Sequence, residues 1–479
     1  MTVAQPGFDL PVFDPLRLSA TSLDVQAVRH LGVQGIRARQ VSRLRALVRS
    51  ARRRTALYRA LLPAGCGDDD VAEIDLERLP VVDKALLMER FDDWVADPEI
   101  RKPELQAFMA DPRRIATAYL GRYIVWESSG TSGAPGLFVQ DARAMAVYDA
   151  LEALRRHTLR PMQRAFDPLY LAERLVFVGA TGGHFASVVS VERLRRLNPW
   201  MGSAMHSVSL LRPTSEIVAE LNALAPTILV SYPTAVALLA EQARAGALRI
   251  RPAEIWTGGE ALTDSVRRFA EQAFGCTVCN SYGASEFLSI GWECAQGRMH
   301  ANTDWVILEP VDAQHRPVAP GAWSHTTLLT NLANHVQPLI RYDLGDGLRI
   351  DPEPCACGSP LPVIEVDGRH DDPLRLADRH GHRVTWLPLS LSTLMEEEAG
   401  VYDFQLLQRD AHSVAVRVGS EATEADARRA IARCSKVLRE LAQRDGLAGL
   451  HIVEEPDLPL QHGASGKVKR VIARAPRAS

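Results

Sequence analysis

A loop of hydroxyl-bearing residues and glycines follows an aromatic and β-branched stretch at residues 123–126, and its composition is typical of segments that hold phosphate groups. The loop consists of Ser128, Ser129, Gly130, Thr131, Ser132, Gly133, Ala134, Pro135 and Gly136. Glycines allow backbone N–H groups to turn towards an anion, and the hydroxyl groups add donors that can follow its oxygens. The loop contains no lysine, unlike a Walker-type phosphate loop, and its composition alone also fits a solvated turn.

Four further clusters of glycines and polar residues follow the loop, at residues 258–260, 280–286, 341–346 and 463–470. The first cluster ends a strand-like stretch, which is where open α/β sheets bind ligands. Tyr282 offers a ring that can stack on a base, and Glu286 offers a carboxylate suited to Mg²⁺. Asp346 could accept both hydroxyls of a ribose, and Lys467 places an ammonium group in a glycine-rich turn. Ordinary turns and a solvated tail are the alternative interpretations.

A possible metal site is formed by three cysteines and one histidine, namely Cys294, His300, Cys355 and Cys357. Three thiolates and one imidazole make a closed tetrahedral ligand set suited to structural Zn²⁺. The ligands span about sixty residues, so buried free cysteines remain the alternative.

Length and charge restrict the class of protein. The chain has 479 residues and is 46% hydrophobic, which is enough to bury more than one core. Lys and Arg number 55 against 58 Asp and Glu, so the formal charge of −3 predicts no binding to nucleic acid or to an anionic membrane. No signal-like amino terminus and no bilayer-spanning apolar run is visible, which predicts a cytoplasmic protein with reduced cysteines.

The hydrophobic pattern predicts an α/β fold. Residues 25–62 show helical periodicity, and strand-like stretches then alternate with helical ones. The predicted strands are 175–178, 228–231, 254–257 and 277–280, and the predicted helices include 235–245 and 264–274. This alternation is typical of parallel strands covered by helices. Near the carboxyl end, strands at 402–408 and 413–418 and a helix at 423–443 predict a small α+β domain.

Taken in order, these clusters resemble the adenylate-forming superfamily of acyl-CoA synthetases, nonribosomal adenylation domains and luciferases. The phenylacetate–coenzyme A ligase-like branch is the most similar, and the resemblance runs from about Arg43 to Val471. It rests on the loop at 128–133, the segment from Leu79-Pro80 to Lys84, and the motifs at 340–342, 368–372 and 466–467. The resemblance implies a large N-terminal AMP-binding domain with mostly parallel sheets at residues 1–369. It also implies a small, mobile C-terminal lid domain at 370–479 with a hinge near Asp371-Asp372.

The resemblance also implies roles for individual residues. The residues that would hold the β- and γ-phosphates of ATP are Ser128, Ser129, Gly130, Thr131, Ser132 and Gly133. The other nucleotide-binding residues would be Gly259 and Glu260 beside the adenine, Tyr282 stacked on it, Asp346 on the ribose and Arg369 from the linker. The catalytic residues would be Ser285 on the α-phosphate, Glu286 on Mg²⁺, and Lys467 between the substrate carboxylate and the α-phosphate. Related ligases place zinc ligands like the cysteine and histidine set above.

The acyl pocket is predicted from glycines and aromatic residues that could accept a flat ring. Its predicted residues are Gly182, Gly183, His184, Tyr232, Ser281 and Gly283. A core histidine bonded to a backbone group is an equally good interpretation of His184.

The resemblance implies ATP- and Mg²⁺-dependent adenylation of a small carboxylic acid, with an aromatic acid favoured, followed by transfer to coenzyme A. Two departures keep other functions open. Ala134 stands where the phosphate loop of the family commonly carries a lysine, which leaves a nucleotide-binding pseudoenzyme possible. The segment 373–384 is longer than the usual turn after the hinge, so a carrier-protein thiol, an amine or another non-CoA acceptor stays open.

Overall fold

The computed structural model describes most of the chain and gives it an α/β architecture. The described residues are 12–63, 74–128, 135–155, 171–367, 373–378, 381, 383–401, 403–419, 424–447, 449–461 and 469–473. The α-helices among them are α1 (Pro15–Arg54), α2 (Ala56–Leu61), α3 (Lys84–Glu89), α4 (Phe91–Trp94), α5 (Lys102–Met109), α6 (Ala142–Arg155), α7 (Ala186–Leu197), α8 (Thr214–Leu224), α9 (Pro233–Arg244), α10 (Asp264–Phe274), α11 (Pro388–Glu397) and α12 (Glu424–Arg444). Within these ranges, no helix has the length and apolar character that crossing a membrane requires.

Helix α1 begins with a capped turn and bends at a glycine. The Asp14 carboxylate accepts a hydrogen bond from the backbone N–H of Arg17 at 2.9 Å. Pro15 fits the first helical position because a backbone N–H at that position would have no partner within the helix. Gly32 adopts φ 61° and ψ −178°, a left-handed φ that glycine accepts without steric cost. The helical segment predicted at 25–62 is therefore observed as a longer, bent α1 followed by α2.

The central sheet has seven strands in the order β4-β3-β5-β6-β7-β8-β9. These strands are β3 (Leu175–Gly179), β4 (Met205–Ser209), β5 (Ile228–Ser231), β6 (Glu254–Thr257), β7 (Thr277–Ala284), β8 (Phe287–Glu293) and β9 (Met299–Ala301). The first five strands in this order, from β4 to β7, pair in parallel with their neighbours. The pairs β7 with β8 and β8 with β9 are antiparallel. Helices α7 to α10 connect successive parallel strands, which confirms the predicted alternation.

Smaller antiparallel sheets surround the central one. They are formed by β1 (Ile124–Glu127) with β2 (Leu137–Gln140), by β10 (Val306–Val311), β11 (Thr326–Asn331) and β12 (Tyr342–Asp343), and by β13 (Gly347–Ile350) with β14 (Ile364–Asp367). Within the described residues of this part of the chain, parallel strand pairs are thus confined to the central sheet, and two isolated parallel bridges, Val82 to Tyr342 and Glu127 to Phe185, lie outside it. The hairpin of β1 and β2 brackets the hydroxyl-rich loop, so the sheet positions both ends of that loop.

The C-terminal elements pack around a hydrophobic core of their own. Its strands are β15 (Leu374–Ala377), β16 (Arg383–Trp386), β17 (Phe404–Asp410), β18 (Ser413–Val418), β19 (His451–Glu454) and β20 (Val471–Ile472). The last four form a sheet in the order β19-β18-β17-β20, and Phe404, Leu406 and Leu438 lie fully buried beneath it. The small α+β unit is therefore observed as predicted. The boundary at residues 369–370 and the hinge at Asp371-Asp372 lie outside the described residues.

Candidate active site

A large cavity opens at the carboxyl ends of the parallel strands β5, β6 and β7. Its wall includes Tyr232 after β5, Gly259 and Glu260 after β6, and Tyr282 on β7. Because neighbouring parallel strands end at the same edge, residues far apart in the sequence meet there. The clusters at 258–260 and 280–286 therefore share one cavity, as ligand sites of open α/β sheets do.

The hydroxyl-rich loop begins at this cavity. The Ser128 hydroxyl accepts a hydrogen bond from the backbone N–H of Gly136 at 2.9 Å, and the Ser128 N–H donates to the Gly136 carbonyl at 2.9 Å. The Trp126 indole N–H donates to the Ser285 carbonyl at 2.8 Å, so the hairpin is tied to the turn after β7. Ser129, Gly130, Thr131, Ser132 and Gly133 lie outside the described residues. The two ends of the loop are nevertheless fixed beside the cavity.

Tyr282 and Asp346 meet in the cavity although 64 residues separate them. The Tyr282 hydroxyl donates to the Asp346 carboxylate at 2.9 Å, and both residues belong to the cavity wall. The Thr327 hydroxyl donates to the Asp346 carbonyl at 2.9 Å and fixes the backbone at that position. An aromatic ring and an oriented carboxylate thus lie side by side in the cavity wall.

Glu286 is a buried carboxylate of this cavity, with 8% of the residue exposed. Burial raises its pKa above the usual value for a glutamic acid. The Tyr342 hydroxyl, which hydrogen-bonds to the carboxylate, and the Lys84 ammonium oppose this rise in pKa, whereas the charge of Asp346 adds to it. Carboxylate oxygens are hard ligands, so Glu286 fits a Mg²⁺ ion accompanying a phosphate ligand.

Glu260 and its neighbouring glycine shape the wall near Tyr232. The Glu260 carboxylate accepts hydrogen bonds from the Thr234 N–H at 3.0 Å and the Thr234 hydroxyl at 2.7 Å, at the start of α9. Gly259 has φ +78°, and a Cβ there would lie 3.2 Å from the Tyr232 ring. The glycine therefore lets the ring of Tyr232 approach the backbone closely, next to Ser281 in the same wall.

The structure corrects the prediction that His184 lines the acyl pocket. His184 is 1% exposed, and its ring packs on Phe108 with 6.0 Å between the centroids. Its Nε2 lies 3.4 Å from the Asp111 carbonyl oxygen, and burial lowers its pKa. These partners precede His184 by more than seventy residues, so only the folded chain shows that the histidine belongs to the core.

Gly182 and Gly183 are also predicted for the acyl pocket, but they are not part of the cavity wall. They contact Glu397 of α11. A Cβ added to Gly182 would lie 2.9 Å from Oε2 of Glu397, and one added to Gly183 would lie 2.9 Å from its Oε1. Tyr232, Ser281 and Gly283, in contrast, do line the cavity. The predicted pocket residues thus divide into three at the wall and three away from it.

The four predicted zinc ligands lie together. Ligand atoms of Cys294, His300, Cys355 and Cys357 are all within 4.8 Å of one another. The Cys294 and Cys355 sulfurs are 3.8 Å apart, and the Cys357 sulfur is 3.3 Å from Nε2 of His300. Nδ1 of His300 lies 2.8 Å from the Leu361 carbonyl, which leaves Nε2 to face the thiols. This donor set fits a tetrahedral Zn²⁺ ion.

Comparison with known proteins gives matches in sequence and in fold. A family model for AMP-binding enzymes matches residues 197–321. A phenylacetate–coenzyme A ligase of Thermus thermophilus is 30% identical over 122 residues, which are 24% of this chain and 27% of that protein. Protein CapK of Staphylococcus aureus is 26% identical over 234 residues, which are 46% of this chain and 47% of that protein. The matched stretches therefore span less than half the length of these curated relatives.

Among solved structures, a 2-hydroxyisobutyryl-CoA ligase in complex with 2-HIB-AMP and CoA matches with a TM-score of 0.55 and 20% identity. The match covers 92% of this chain and 90% of that chain. An open conformation of that ligase matches with a TM-score of 0.53 and 19% identity, over 91% of each chain. The chain therefore shares the fold of this ligase over most of its length, and residues 197–321 match the AMP-binding enzyme family.

Two site residues that the sequence resemblance implies, Lys467 and Arg369, lie outside the described residues. Arg470, three positions after Lys467, lines the cavity and pairs with Glu396 of α11 at 2.5 Å. Asp403 also lines the cavity, so the C-terminal unit shares the cavity wall with Tyr282 and Asp346.

Two residues that contribute to this site were not predicted from the sequence. Tyr342 hydrogen-bonds to the Glu286 carboxylate, and Lys84 lines the cavity near the same group. Both residues stand in segments that carry the family resemblance, at 340–342 and 79–84, which is the signal that could have singled them out. Their contact with Glu286 depends on packing between distant segments.

Proposed function

We propose that this protein is an ATP- and Mg²⁺-dependent ligase that adenylates a small carboxylic acid and passes the acyl group to a thiol, with coenzyme A as the first choice. The observation that carries the proposal is the convergence of Tyr282, Asp346 and Glu286 in one cavity, with 2.9 Å between the tyrosine hydroxyl and the aspartate. The name of the Thermus thermophilus relative and the CoA-bound ligase of similar fold support acid–thiol chemistry.

In the first half-reaction, the chain would bind and orient ATP. Tyr282 would stack on the adenine beside Gly259 and Glu260, and Asp346 would accept the ribose hydroxyls. Ser285 and the loop from Ser128 to Gly133 would surround the phosphates. Bound Mg²⁺ would neutralise phosphate charge, and Glu286 is the residue that would hold it. Orientation and charge stabilisation of this kind are the main contributions a protein makes to phosphoryl and nucleotidyl transfer.

The acyl-adenylate would form by direct displacement. A carboxylate oxygen of the acid attacks the α-phosphorus, and the bond to the bridging oxygen breaks with release of pyrophosphate. Lys467 would lie between the acid and the α-phosphate, where negative charge accumulates. A thiol sulfur then attacks the acyl carbon and AMP leaves, after the C-terminal unit at 370–479 rotates about residues 371–372.

An aromatic acid is the favoured substrate. Tyr232 and Phe177 line the cavity with their rings 6.2 Å apart and inclined by 76°. Ser281 and Gly283 complete this wall. Apolar walls with a few polar groups are typical of small-molecule sites.

The thiol acceptor has a second candidate. The segment 373–384 includes strands β15 and β16, whose Arg375 pairs with Glu241 of α9 at 2.8 Å. A hairpin in place of a short turn is the feature that supports the second candidate, a carrier-protein thiol or an amine as acceptor in place of free coenzyme A. Ala134 motivates the third candidate, a nucleotide-binding pseudoenzyme without turnover.

A panel of carboxylic acids tests these candidates by the release of pyrophosphate from ATP. We expect release with a small set of aromatic acids, and mass spectrometry of the products with and without coenzyme A then identifies the acceptor. Lys467→Ala should abolish most of the release, whereas Lys436→Ala, an exposed lysine of α12, should not change it. ATP binding without release for any acid would contradict ligase activity and support the pseudoenzyme.

We also propose that Cys294, His300, Cys355 and Cys357 hold a structural Zn²⁺ ion. The grouping of their ligand atoms within 4.8 Å supports this assignment. The site joins the hairpin of β8 and β9 to the turn at residues 355–358, away from the reacting atoms. A closed four-ligand set leaves no position for substrate, so we assign the metal no chemical step.

A further inference from the structure

Two hydroxyl groups meet in the wall of the cavity, on the side where the acyl group of the proposed ligase would lie. Oγ of Ser187 and the hydroxyl oxygen of Tyr232 are 3.4 Å apart, and either atom can be the donor. Both residues line the cavity. They are 45 positions apart in the sequence, so only the folded chain brings the pair together.

Tyr232 is held in place by the elements on both sides of it in the chain. It follows β5 and directly precedes α9, and its carbonyl accepts a hydrogen bond from the Val236 N–H at 2.9 Å. Its ring packs edge-on against Phe177, with 6.2 Å between the centroids. The other contact of the ring is with Gly259, where a Cβ would lie 3.2 Å away. The position of the ring therefore fixes the position of its hydroxyl group.

Ser187 is positioned by the start of α7. It is the second residue of that helix, and Phe185, the residue before the helix, forms a parallel bridge with Glu127 of β1. The backbone N–H of Glu127 donates to the His184 carbonyl at 2.9 Å. The hairpin of β1 and β2 thus holds the end of α7 that carries this serine.

The pair of hydroxyl groups has hydrogen-bonding capacity for a ligand. Each hydroxyl has one donor and two acceptor sites, and a contact between the two uses one site of each kind. Their separation of 3.4 Å is long for a hydrogen bond between oxygen atoms, which is usually about 2.7–2.8 Å. A polar group of a ligand that bonds to both oxygens would therefore be better paired than they are with each other.

The surroundings of the pair favour an uncharged group. Burial raises the pKa of Tyr232 above its ordinary value, and the charge of Glu260 adds to this rise, whereas the Ser187 hydroxyl and the Ala180 backbone oppose it. The tyrosine hydroxyl therefore keeps its proton, and the Glu260 carboxylate would repel an anionic group. A hydroxyl or an amino group on an aromatic ring meets these conditions, since each is uncharged and donates a hydrogen bond.

The width of the sheet at this point suits a single ring. Ser231 of β5 and Asn280 of β7 both pair with Thr257 of β6, so the next residues, Tyr232 and Ser281, are two strand spacings apart. Since neighbouring strands lie about 4.8 Å apart, this separation is about 10 Å. One aromatic ring fits this width with its carboxylate towards the turn after β7 and a ring substituent at the hydroxyl pair.

We propose that Ser187 and Tyr232 bind a hydroxyl or amino group on the ring of the acid, so that the substrate class is hydroxy- or amino-substituted aromatic acids. The inference rests on the proposed function. The substituent would lie between the two oxygen atoms and replace their long contact with two shorter hydrogen bonds. An acid without the substituent would leave two buried hydroxyls poorly paired, which is the physical source of the discrimination. No bond to the substituent forms or breaks.

Acid-dependent release of pyrophosphate from ATP, measured with matched acids, tests this assignment. The acids are benzoates and phenylacetates whose ring carries hydrogen, methyl, hydroxyl or amino at the meta or para position. For the parent protein we expect kcat/KM to be about 10- to 100-fold higher for the best hydroxy or amino acid than for its methyl and unsubstituted counterparts. The methyl acids separate the effect of hydrogen bonding from the effect of size.

Tyr232→Phe and Ser187→Ala each remove one hydroxyl of the pair. Each should lower kcat/KM for the best hydroxy or amino acid by about 10-fold and affect the unsubstituted acid much less, so the preference between the two acids narrows. Tyr119→Phe is the matched control, because it removes the hydroxyl of a buried tyrosine that is not part of the cavity wall, and it should keep the preference of the parent protein. Thermal unfolding should show that every variant is folded. Equal losses for both kinds of acid in Tyr232→Phe, or a parent protein that prefers the methyl acids, would overturn the assignment.

The two proposals fail in different ways. If acids support release but the ring substituent does not change kcat/KM, the ligase function stands and the role of the hydroxyl pair is wrong. If no acid supports release, calorimetric titration of the same acids into the full chain decides the matter. Tighter binding of the hydroxy or amino acids that is lost in Tyr232→Phe would keep the assignment of the pair and make the ligase function wrong. Equal affinities for all the acids, or no binding of any, would contradict both proposals.

Discussion

In the proposed function, Tyr282 has two roles, one through its ring and one through its hydroxyl. Its ring belongs to the cavity wall, and its hydroxyl donates to the Asp346 carboxylate at 2.9 Å. The same side chain that would stack on the adenine thus orients the carboxylate that would bind the ribose. These two roles can be separated by removing the hydroxyl while keeping the ring.

Tyr282→Phe should raise the KM for ATP by about 3- to 10-fold, because one hydrogen bond that orients Asp346 is lost. The kcat should change little, since the reacting phosphorus lies elsewhere in the nucleotide. ATP–pyrophosphate exchange with the best acid measures both constants. Tyr123→Phe is the control, because it removes a comparable bond to Asp97 at 2.5 Å outside the cavity wall. A purely stacking role for Tyr282 would leave KM unchanged in Tyr282→Phe.

Local sequence patterns predicted the elements of this fold well but predicted their contacts poorly. The stretches at 228–231 and 254–257 coincide with β5 and β6 because apolar runs flanked by turn residues depend on few distant contacts. His184 was ambiguous because a histidine after glycines fits a ligand pocket and a core equally well. Its place is decided by Phe108 and Asp111, which no local pattern connects to it. The hydrogen bond of Tyr342 to Glu286 is non-local in the same way.

Helix α6 is held to the segment after β9 by a buried ion pair. The Arg155 guanidinium, at the end of α6, binds the Asp304 carboxylate at 2.8 Å and the Asn302 side chain at 2.9 Å. Asp304 is fully buried. Asp304→Ala should lower the free energy of unfolding by about 3–5 kcal/mol, because Arg155 keeps a buried charge without its partner.

Urea denaturation followed by circular dichroism measures this change. Asp312→Ala provides the comparison, because its pair with Arg316 at 2.8 Å is exposed to solvent and should contribute at most about 1 kcal/mol. Equal effects of the two substitutions would mean that burial does not determine the contribution of the Asp304 pair.

The proposed zinc ion would connect β8 and β9 to the turn at residues 355–358. Purified protein should contain about one zinc ion per chain, as a closed four-ligand site requires. Cys355→Ser should lose the metal and lower the melting temperature, since metal binding and folding are coupled. Elemental analysis and thermal unfolding measure the two effects. Cys276→Ser, which changes a free cysteine outside the cluster, should keep the metal. Metal-free parent protein with the same stability as Cys355→Ser would contradict the assignment.

At the scale of the whole molecule, described residues of the C-terminal unit make polar contacts with a helix and loops beside the central sheet. Arg375 pairs with Glu241 at 2.8 Å, and the Ser390 hydroxyl donates to the Leu210 carbonyl at 3.3 Å. At another contact, the carboxylate of Glu397 in α11 lies against Gly182 and Gly183. A Cβ on Gly183 would also lie 3.1 Å from Oε1 of Glu127, so two carboxylates approach the same glycine.

This contact should make the arrangement of the two units depend on pH. Burial and the charges of Glu127, Glu396 and Glu398 raise the pKa of Glu397 to about 7 from its usual 4.5. Separation of the units would remove Glu127 and the contact with the glycines, so the pKa of Glu397 would fall towards 4.5. The observed arrangement therefore holds a proton that the separated one releases. The protonated Glu397 therefore stabilises the observed arrangement fully at pH values below 4.5, and this stabilisation is lost as the pH rises through about 7.

Small-angle X-ray scattering between about pH 5 and pH 8.5 tests this sign, because that range spans the ionisation of Glu397. We expect the radius of gyration of the parent protein to increase with pH as the C-terminal unit separates more often. Glu397→Gln should remove most of the increase, because the amide stays neutral beside Glu127 at every pH. Glu440→Gln, on the exposed face of α12, should behave like the parent protein. A radius that decreases with pH, or one that increases equally in Glu397→Gln, would show that this carboxylate does not control the arrangement.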